Sequence, residues 1–499
     1  MNQALLFSVF VVASCGLAYE LIAGALSSYL LGDSVMQFST IIGTYLFAMG
    51  IGSWMSRYVE RNLIARFVQV ELMVGVFGGF SAAVLFFIFA WISAPFKLAL
   101  YLAVSGIGVL VGLEIPLIMR ILKRDLSLKD LVSQVLTFDY LGALAVSILF
   151  PLVLVPHIGL VRSGLLFGLL NVLVALWALW LFREQLQRAA WLKTQAIVSF
   201  VVLAIGFAAA GQFTSFAEAH LYADEIVYTQ TTPYQRLVVT RWKDDLRLFL
   251  NSNLQFSSHD EYRYHEALIH PGLATLPGAR RILVLGGGDG LALREILKYP
   301  QIESITLVDL DPAMTQLFST APPLRKLNAD ALQSPKVKVI NTDALKWLED
   351  HDDIFDFVVV DFPDPSNFAI GKLYTSAFYR LLEKHMSEGA LAVVQSTSPL
   401  YARQSFWCVV NTLESVGFAA TPYHALVPSF GEWGYVLAGK RAYQPPTNYA
   451  VATKFLTPET TPALFQFPKD MERVDAEVNR LNNQVLVRYF ESEWRQVIR

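Results

Sequence analysis

Apolar residues fill the first two-fifths of the chain in long, nearly unbroken runs, and beyond about residue 213 they fall into short pieces. The runs near 4–31, 38–55, 67–92, 97–119, 134–156, 159–182 and 195–211 are long enough, or nearly so, to cross the roughly 30 Å hydrocarbon core of a bilayer as helices. The last is the shortest. Gly32-Asp33-Ser34 separates the first two, Pro151 and Pro156 lie in the fifth, and Gly43, Gly50, Gly52, Gly106, Gly108 and Gly112 suit close helix packing. Downstream, β-rich pieces at 236–241 and 246–250 predict a small antiparallel subdomain. From Arg281, strands at 281–285, 304–309, 337–341, 356–361, 390–395 and 433–438 alternate with helices at 290–299, 312–319, 344–350, 376–386 and 400–416. Such alternation predicts a doubly wound, mostly parallel sheet of Rossmann-like form. The tail beyond Pro445-Pro446 predicts an amphipathic helix over 470–497, packed on the domain or on the membrane surface. The expected divisions are a seven-helix α-helical membrane bundle over 1–212, a β subdomain and linker over 213–280, an α/β domain over 281–440 and a helical extension over 441–499.

Composition sharpens the division. Only 16% of the 499 residues are charged, against about 25% in soluble domains. Residues 1–212 hold 12 Lys/Arg and 9 Asp/Glu, about one charge per ten residues, and 213–499 hold the remaining 27 and 33, about one per five. The loops after spans two, four and six contain Arg57, Arg61, Arg66; Arg120, Lys123, Arg124, Lys129; and Arg183, Arg188, Lys193, whereas the opposite loops contain only Lys97 and Arg162. That bias puts the N-terminus on the cytoplasmic side of a cell membrane, and seven spans then carry the soluble part out. Either 195–211 does not span or the soluble part faces outward. A net charge of −3 without a Lys/Arg cluster excludes a nucleic-acid partner and leaves the lipid bilayer as the evident one. Cys15 and Cys408 make no disulfide scaffold, and the opening run reads as a retained span rather than a signal peptide.

Glu20, Glu71, Glu114 and Asp139 fall within or beside the spans. Ionisable groups there are costly, so they either line a path for a cation or pair with polar groups inside the bundle.

Leu283-Val284-Leu285-Gly286-Gly287-Gly288-Asp289-Gly290 reads as a strand entering a glycine turn and then a helix, and Asp309 follows Gly290 by 19 residues. Glycines let a ligand approach the backbone at the carboxyl edge of such a sheet, and an acid at that distance suits a ribose hydroxyl. Asp343 and Asp361-Phe362-Pro363-Asp364-Pro365 also follow predicted strands, while Asp260-Glu261 precedes Tyr264-His265-Glu266. In a parallel sheet these strand ends converge on one crevice. Converging carboxylates suit a ligand with several ammonium groups and leave one available as a base. Asp311 reads as a turn cap.

Tyr234-Gln235-Arg236, Leu248–Gln255, Asp260-Glu261 with Tyr264-His265-Glu266, the glycine turn with Arg294-Glu295, then Asp309, Asp343 and Asp361 with Asp364 stand in an order that resembles the polyamine aminopropyltransferases (spermidine synthases), over roughly 224–440. The apolar N-terminal part, with Leu31-Gly32-Asp33-Ser34-Val35 and Gly112-Leu113-Glu114-Ile115-Pro116, resembles the membrane-bound branch of that family. The resemblance implies a methyltransferase-type α/β fold and transfer of the aminopropyl group of decarboxylated S-adenosylmethionine to putrescine, giving spermidine and methylthioadenosine. It implies that Gln235, Asp309, Asp343 and Ala344, with Gly286 and Gly288 of the turn, bind the nucleoside, and that Asp260 holds the aminopropyl ammonium. His265, Asp289 and Asp364 would bind the diamine or polyamine, and Asp361 would accept the proton. The nucleoside is a co-substrate rather than a tightly held cofactor, a dimer is expected from the resemblance, and the chemistry calls for no metal.

The chain departs from the family pattern at Asn251-Ser252, at the shorter acid Asp309, at Ala344, at Phe368 and at Phe430, where an aromatic hydroxyl is expected. The last two bear on the choice of amine. An S-adenosylmethionine-dependent methyltransferase is the alternative on the same fold, and it predicts fewer acids. A polyamine transporter or sensor with a non-catalytic nucleoside-binding domain is the alternative from another class.

Overall fold

The computed structural model describes residues 2–497 except 32–33, 93–95, 124–126, 187–188 and 223. The Gly32-Asp33 turn and the loop cations Arg124 and Arg188 lie outside the described residues. The chain forms two compact units, Met1–Ile226 and Val227–Arg499.

The first unit is helical: α1 (Asn2–Leu31), α2 (Ser34–Met55), α3 (Leu63–Ile92), α4 (Phe96–Leu122), α5 (Leu128–Leu149), α6 (Val155–Leu181) and α7 (Ala189–Leu221). Six apolar stretches are long enough to cross a membrane, and one of them, Leu128–Leu181, has 54 residues. That stretch is two helices. Ser14 Oγ donates to Gly142 O at 3.0 Å, and the adjacent Cys15 Sγ to Phe167 O at 3.5 Å. Gly142 and Phe167 would stand roughly 37 Å apart along one straight helix, so the chain doubles back between them. The break falls at Gly159, whose φ of 77° is non-helical. It lies after Pro151 and Pro156 rather than at them. α7 runs to Leu221, so the run centred on 195–211 belongs to a helix of 33 residues.

Of the small residues expected at helix crossings, three serve that purpose. A Cβ on Gly52 would meet Val109 O at 2.0 Å, on Gly112 Met49 O at 2.2 Å and on Gly108 Ala48 Cβ at 2.8 Å, so α2 and α4 touch backbone to backbone. Gly43, Gly50 and Gly106 face open space and make no such crossing. Among the acids, Glu71 is fully buried and accepts from Asn171 Nδ2 at 2.8 Å, and Asn171 Oδ1 accepts from Tyr19 at 3.0 Å. Glu114 is buried too, yet neither of its carboxyl oxygens has a partner among the described residues.

The second unit opens with β1 (Glu225–Thr231), β2 (Arg236–Trp242), β3 (Asp245–Leu250) and β4 (Asn253–Ser257), a four-stranded sheet in which β2, β3 and β4 pair antiparallel. Then come α8 (Glu261–Leu273), β5 (Arg281–Gly286), α9 (Leu291–Ile296), β6 (Ser304–Asp309), α10 (Pro312–Thr320), α11 (Pro322–Leu327), β7 (Val337–Asn341), α12 (Ala344–Asp350) and β8 (Phe355–Asp361). The chain closes with α13 (Phe368–Gly371), α14 (Ser376–Lys384), β9 (Met386–Gln395), α15 (Arg403–Glu414), β10 (Ala419–Val427), β11 (Gly431–Gly439) and α16 (Val485–Val497).

β5 to β9 are parallel, and β11 and β10 add antiparallel at one end, giving the order β10-β11-β9-β8-β5-β6-β7. The central strands β5 and β8 are apolar without alternation because both faces are covered. Ile282 and Val284 pack into one core with the small sheet's Leu237 and Phe256, and Leu283 and Leu285 into the other with Phe378 and Leu413. Chain order reverses between β5 and β8, which opens the crevice at their carboxyl ends.

Two departures have physical causes. β10, absent from the predicted elements, contains Pro422; it is the edge strand and pairs only with β11, and sheet edges tolerate proline. The tail is not helical from 470: the helix begins at Val485, and the preceding segment has turns but no regular structure. Trp407 Nε1, Asn411 Nδ2 and Arg403 Nε of α15 donate to the carbonyls of Met471, Ala476 and Glu472, bonds that a helix would have taken. Val485 and Leu486 then bury in the domain core.

Candidate active site

Four parallel strands end on the crevice with Gly286, Asp309, Asp361 and Gln395. Gly286 is directly beside Asp361 in register. Its φ of 81°, and an added Cβ that would lie 2.2 Å from Asp361 O, require glycine there. Gly288 packs on Asp309: its N–H donates to Oδ2 at 3.0 Å, and a Cβ would fall 2.6 Å from the same oxygen. Asp309 Oδ1 accepts from Asp311 N at 2.9 Å. Burial pushes the Asp309 carboxyl up to about 6, against the pull of those backbone donors.

Asp361 is the centre of the acid cluster. Tyr264 on α8 donates to its Oδ1 at 2.5 Å, while its Oδ2 lies toward the glycine turn. Burial pushes Asp361 up to about 6; His265 and the Tyr264 hydroxyl oppose the rise, and Asp289 adds to it. Asp289 is raised as well, first by burial, and its Oδ1 accepts from Leu291 N at 2.9 Å. His265 stands between these acids electrostatically. Burial favours its neutral ring, but Glu261, 2.8 Å from Nδ1, outweighs burial and raises the imidazole above its ordinary value. Glu261 in turn receives both terminal nitrogens of Arg294, at 2.8 and 2.9 Å. Among the described residues nothing occupies His265 Nε2.

Asp364 lies beyond Asp361, across Phe362-Pro363. Gln395 Nε2 donates to Phe362 O at 2.7 Å and to Asp364 Oδ1 at 3.4 Å, and Tyr374 caps Pro363 O at 3.2 Å. Burial pushes Asp364 up to about 7, against Gln395 and Thr397.

The remaining expected residues surround this centre. Gln235, in the turn between β1 and β2, donates to Asp311 Oδ2 at 3.0 Å; that oxygen also accepts from Thr232 at 2.8 Å. Asp311 thus caps α10, as its position suggested, and also pins the Gln235 turn to the α/β sheet. Asp343 caps α12 just ahead of the buried Ala344, and Lys372 bonds its Oδ2 at 2.6 Å. Burial raises the Asp343 carboxyl, but Lys372 and the backbone donors more than reverse this and hold it below its ordinary value. Asp260 is turned to Ser429: its Oδ2 accepts the Ser429 N–H at 2.6 Å and its Oδ1 the hydroxyl at 2.8 Å. Each carboxylate above keeps further lone pairs for a ligand. Phe430 packs near Tyr264, ring centroids 6.5 Å apart. Phe368 opens α13.

Tyr264, Gln395 and Lys372 were not singled out for a role from the sequence. Glu261 and His265 stand four residues apart on one helix face, a spacing that lets them pair. Among the described residues no group of three or more His, Cys, Asp or Glu is arranged to hold a metal.

A glycine turn and distal acid at the switch point of a doubly wound sheet, with a buried acid cluster beside them, define a nucleoside-dependent transferase acting on a cationic acceptor. The spermine/spermidine synthase domain matches residues 261–448. The chain is 61% identical over 507 residues to polyamine aminopropyltransferase 2 of Ralstonia nicotianae, covering 100% of this chain and 99% of that one. It is 53% identical over 498 residues to the polyamine aminopropyltransferase of Leptospira interrogans, covering 100% of both. A spermidine synthase solved with the transition-state analogue AdoDATO aligns at 21% identity and TM-score 0.46, covering 50% of this chain and 88% of that one. The chain belongs to the polyamine aminopropyltransferases. It is an enzyme that transfers an aminopropyl group from decarboxylated S-adenosylmethionine, its co-substrate.

Proposed function

We propose that the acceptor is putrescine, that the product is spermidine with methylthioadenosine, and that Asp361 takes the proton. The observation that carries this is the setting of Asp361: beside the glycine turn, with Oδ1 held by Tyr264 and Oδ2 facing Gly287. The amine nitrogen attacks the aminopropyl carbon on sulfur. The C–S bond breaks with its electrons going to sulfur, which leaves as a neutral thioether. The new C–N bond creates a secondary ammonium, whose proton passes to the carboxylate. A sulfonium is already a good leaving group, so the enzyme mainly aligns the amine and keeps it unprotonated.

On this reading Gln235, Asp309, Asp343 and Ala344, with Gly286 and Gly288, hold the nucleoside, Asp260 the aminopropyl ammonium, and His265, Asp289 and Asp364 the amine. The carboxyls of Asp361 and Asp364, raised chiefly by burial, support the division, since an ammonium brought beside them offsets that cost and a base so raised holds the proton it accepts.

The helical unit is read as inserted in the cell membrane. Large apolar side chains point outward from it: Phe47 is 72% exposed, Trp180 65%, Leu102 64% and Ile205 63%, surfaces that lipid would cover and water would not. The doubling back at Gly159 makes seven spans, which supports an N-terminus inside and an α/β unit outside.

The test is methylthioadenosine release by the purified full chain with decarboxylated S-adenosylmethionine and a panel of amines. Release that requires putrescine and vanishes in Asp361→Asn is expected; a better acceptor in the panel would replace putrescine. A reporter active only outside the cytoplasm, fused at the C-terminus, tests the topology, and a silent reporter would overturn it.

A further inference from the structure

Glu114, on α4, is 1% exposed, and both of its carboxyl oxygens are sealed from solvent without a hydrogen-bond partner among the described residues. Glu71, on α3, is 0% exposed; its Oε2 accepts from Asn171, and its Oε1 is sealed and unpartnered as well. Buried polar groups are nearly always paired, and an acid left without donors is among the costliest exceptions. The nearest cations in sequence are engaged elsewhere. Arg120, on the same helix as Glu114, donates to Ser56 O at 3.0 Å, and Arg66, on the same helix as Glu71, to Gln69 Oε1 at 3.0 Å.

Packing brings both acids to one turn of α1. A Cβ on Gly16 would stand 2.9 Å from Val111 Cγ1, so α4 lies against α1 at that point. Glu114 follows Val111 by three residues, on the same face of α4, and a helical side chain leans back over the preceding turn, here toward Gly16. From the other side, Cys15 Sγ donates to Phe167 O at 3.5 Å and Tyr19 to Asn171 Oδ1 at 3.0 Å. The Cys15–Tyr19 turn of α1 therefore meets the face of α6 that holds Glu71. The Tyr19 ring lies over Gly78 of α3, where a Cβ would fall 2.6 Å from it, and this contact fixes the Asn171–Glu71 pair. Tyr45 of α2 reaches the same turn and donates to Gly16 O at 2.8 Å. The two carboxyls are close enough to act on each other's charge, and both act on Cys15.

We propose that Glu71 and Glu114 form a second amine site, carried by the helical unit alone, in which the two carboxyls receive one primary ammonium group of an alkylamine. Three sealed oxygens lack donors: Glu71 Oε1 and both oxygens of Glu114. A primary ammonium brings three N–H donors together with the positive charge that two facing acids need. A divalent ion takes about six or more oxygens, which these two side chains do not supply. Asn171 occupies the fourth oxygen, Glu71 Oε2, and holds that carboxyl in place whether or not an amine is bound. Such a site makes the helical unit a binder of the amines this enzyme handles, in addition to an anchor.

The test is equilibrium binding of labelled putrescine and spermidine to the detergent-solubilised full chain, comparing the parent with Glu114→Gln, Glu71→Gln and Asp364→Asn, with aminopropyl transfer and Tm measured alongside. The parent should bind two amines per chain. Glutamine keeps the shape and removes the charge, so Glu114→Gln should lose one of them, its affinity falling at least about tenfold, with Tm in the absence of amine equal or higher. Its kcat/KM for transfer should stay within about twofold. Glu71→Gln should show the same loss, and Asp364→Asn should lose the other amine. A single bound amine in the parent that disappears in Asp364→Asn overturns the proposal without recourse to either glutamine variant. Unchanged binding in a folded Glu114→Gln or Glu71→Gln overturns it as well. Displacement of the labelled amine by Na⁺ at equal concentration would mark an alkali-ion site and overturn the choice of an ammonium. Two amines persisting in Asp364→Asn, with one lost in Glu114→Gln, would support the helical site and correct the reading of Asp364.

Discussion

Tyr264 donates to Asp361 Oδ1 at 2.5 Å across 97 residues of sequence, joining the first helix of the α/β unit to the end of strand β8. The bond does two things to a proposed base. It fixes the carboxylate plane, and it stabilises the ionised form against the burial that pushes it up to about 6. Activity should therefore rise with pH through about 6 and level above it. Tyr264→Phe should move the acid limb of the kcat/KM profile upward and cost about tenfold at pH 7. An unmoved limb in the variant would show that Asp361 is not the group being titrated.

Asp364 bears on stability. Its folded carboxyl is pushed up to about 7 from an ordinary value of 3.8, so the protonated form fits the fold better than the charged one. The stabilisation belongs to the protonated state: it is present in full below about 4 and is lost as pH rises through about 7. Asp364→Asn resembles that state at every pH. Its Tm should match the parent only below about pH 4 and exceed it at pH 8 by an amount corresponding to about 1–3 kcal/mol. Equal Tm values at pH 8 would mean that the acid is not held against a cost.

Gly288 and Asp309 separate nucleoside binding from amine binding. A Cβ at Gly288 would stand 2.6 Å from Asp309 Oδ2, so Gly288→Ala displaces the acid or the turn. The expected result is a rise of at least about tenfold in KM for decarboxylated S-adenosylmethionine with the amine KM nearly unchanged, read by initial rates with each substrate varied. Equal effects on both would indicate collapse of the whole crevice.

In the helical unit, Asn171 links Tyr19 to Glu71 at 3.0 and 2.8 Å. Asn171→Leu leaves two buried polar groups without their partner and should destabilise the detergent-solubilised protein by about 2–4 kcal/mol, seen as a lower Tm. Asn171→Asp, which still accepts from Tyr19 but sets an acid against Glu71, should be no better. A neutral Asn171→Leu would mean that the polar link stabilises little.

The local pattern specified much of the molecule. Runs of apolar residues announced the helices of the first unit, and Ser304–Asp309, Val337–Asn341 and Ala344–Asp350 occupy the positions that periodicity alone predicts. Glycine chemistry located the turn at Gly286–Gly290, since few other residues tolerate a φ of 81° beneath a neighbouring strand. These features are short-range, and a sequence states short-range preferences directly.

Other features came only with the tertiary structure. Strand order put Gly286 beside Asp361, turned the Asp260 carboxylate to Ser429 and brought Tyr264, Gln395 and Thr397 to the acids. The non-helical tail follows from donors on α15, and the edge strand containing Pro422 from its place in the sheet. Each depends on partners tens to hundreds of residues away, whose meeting is decided by sheet topology and burial rather than by any local preference. The same holds for charge: whether an aspartate keeps its proton near neutral pH is set by what the fold packs around it.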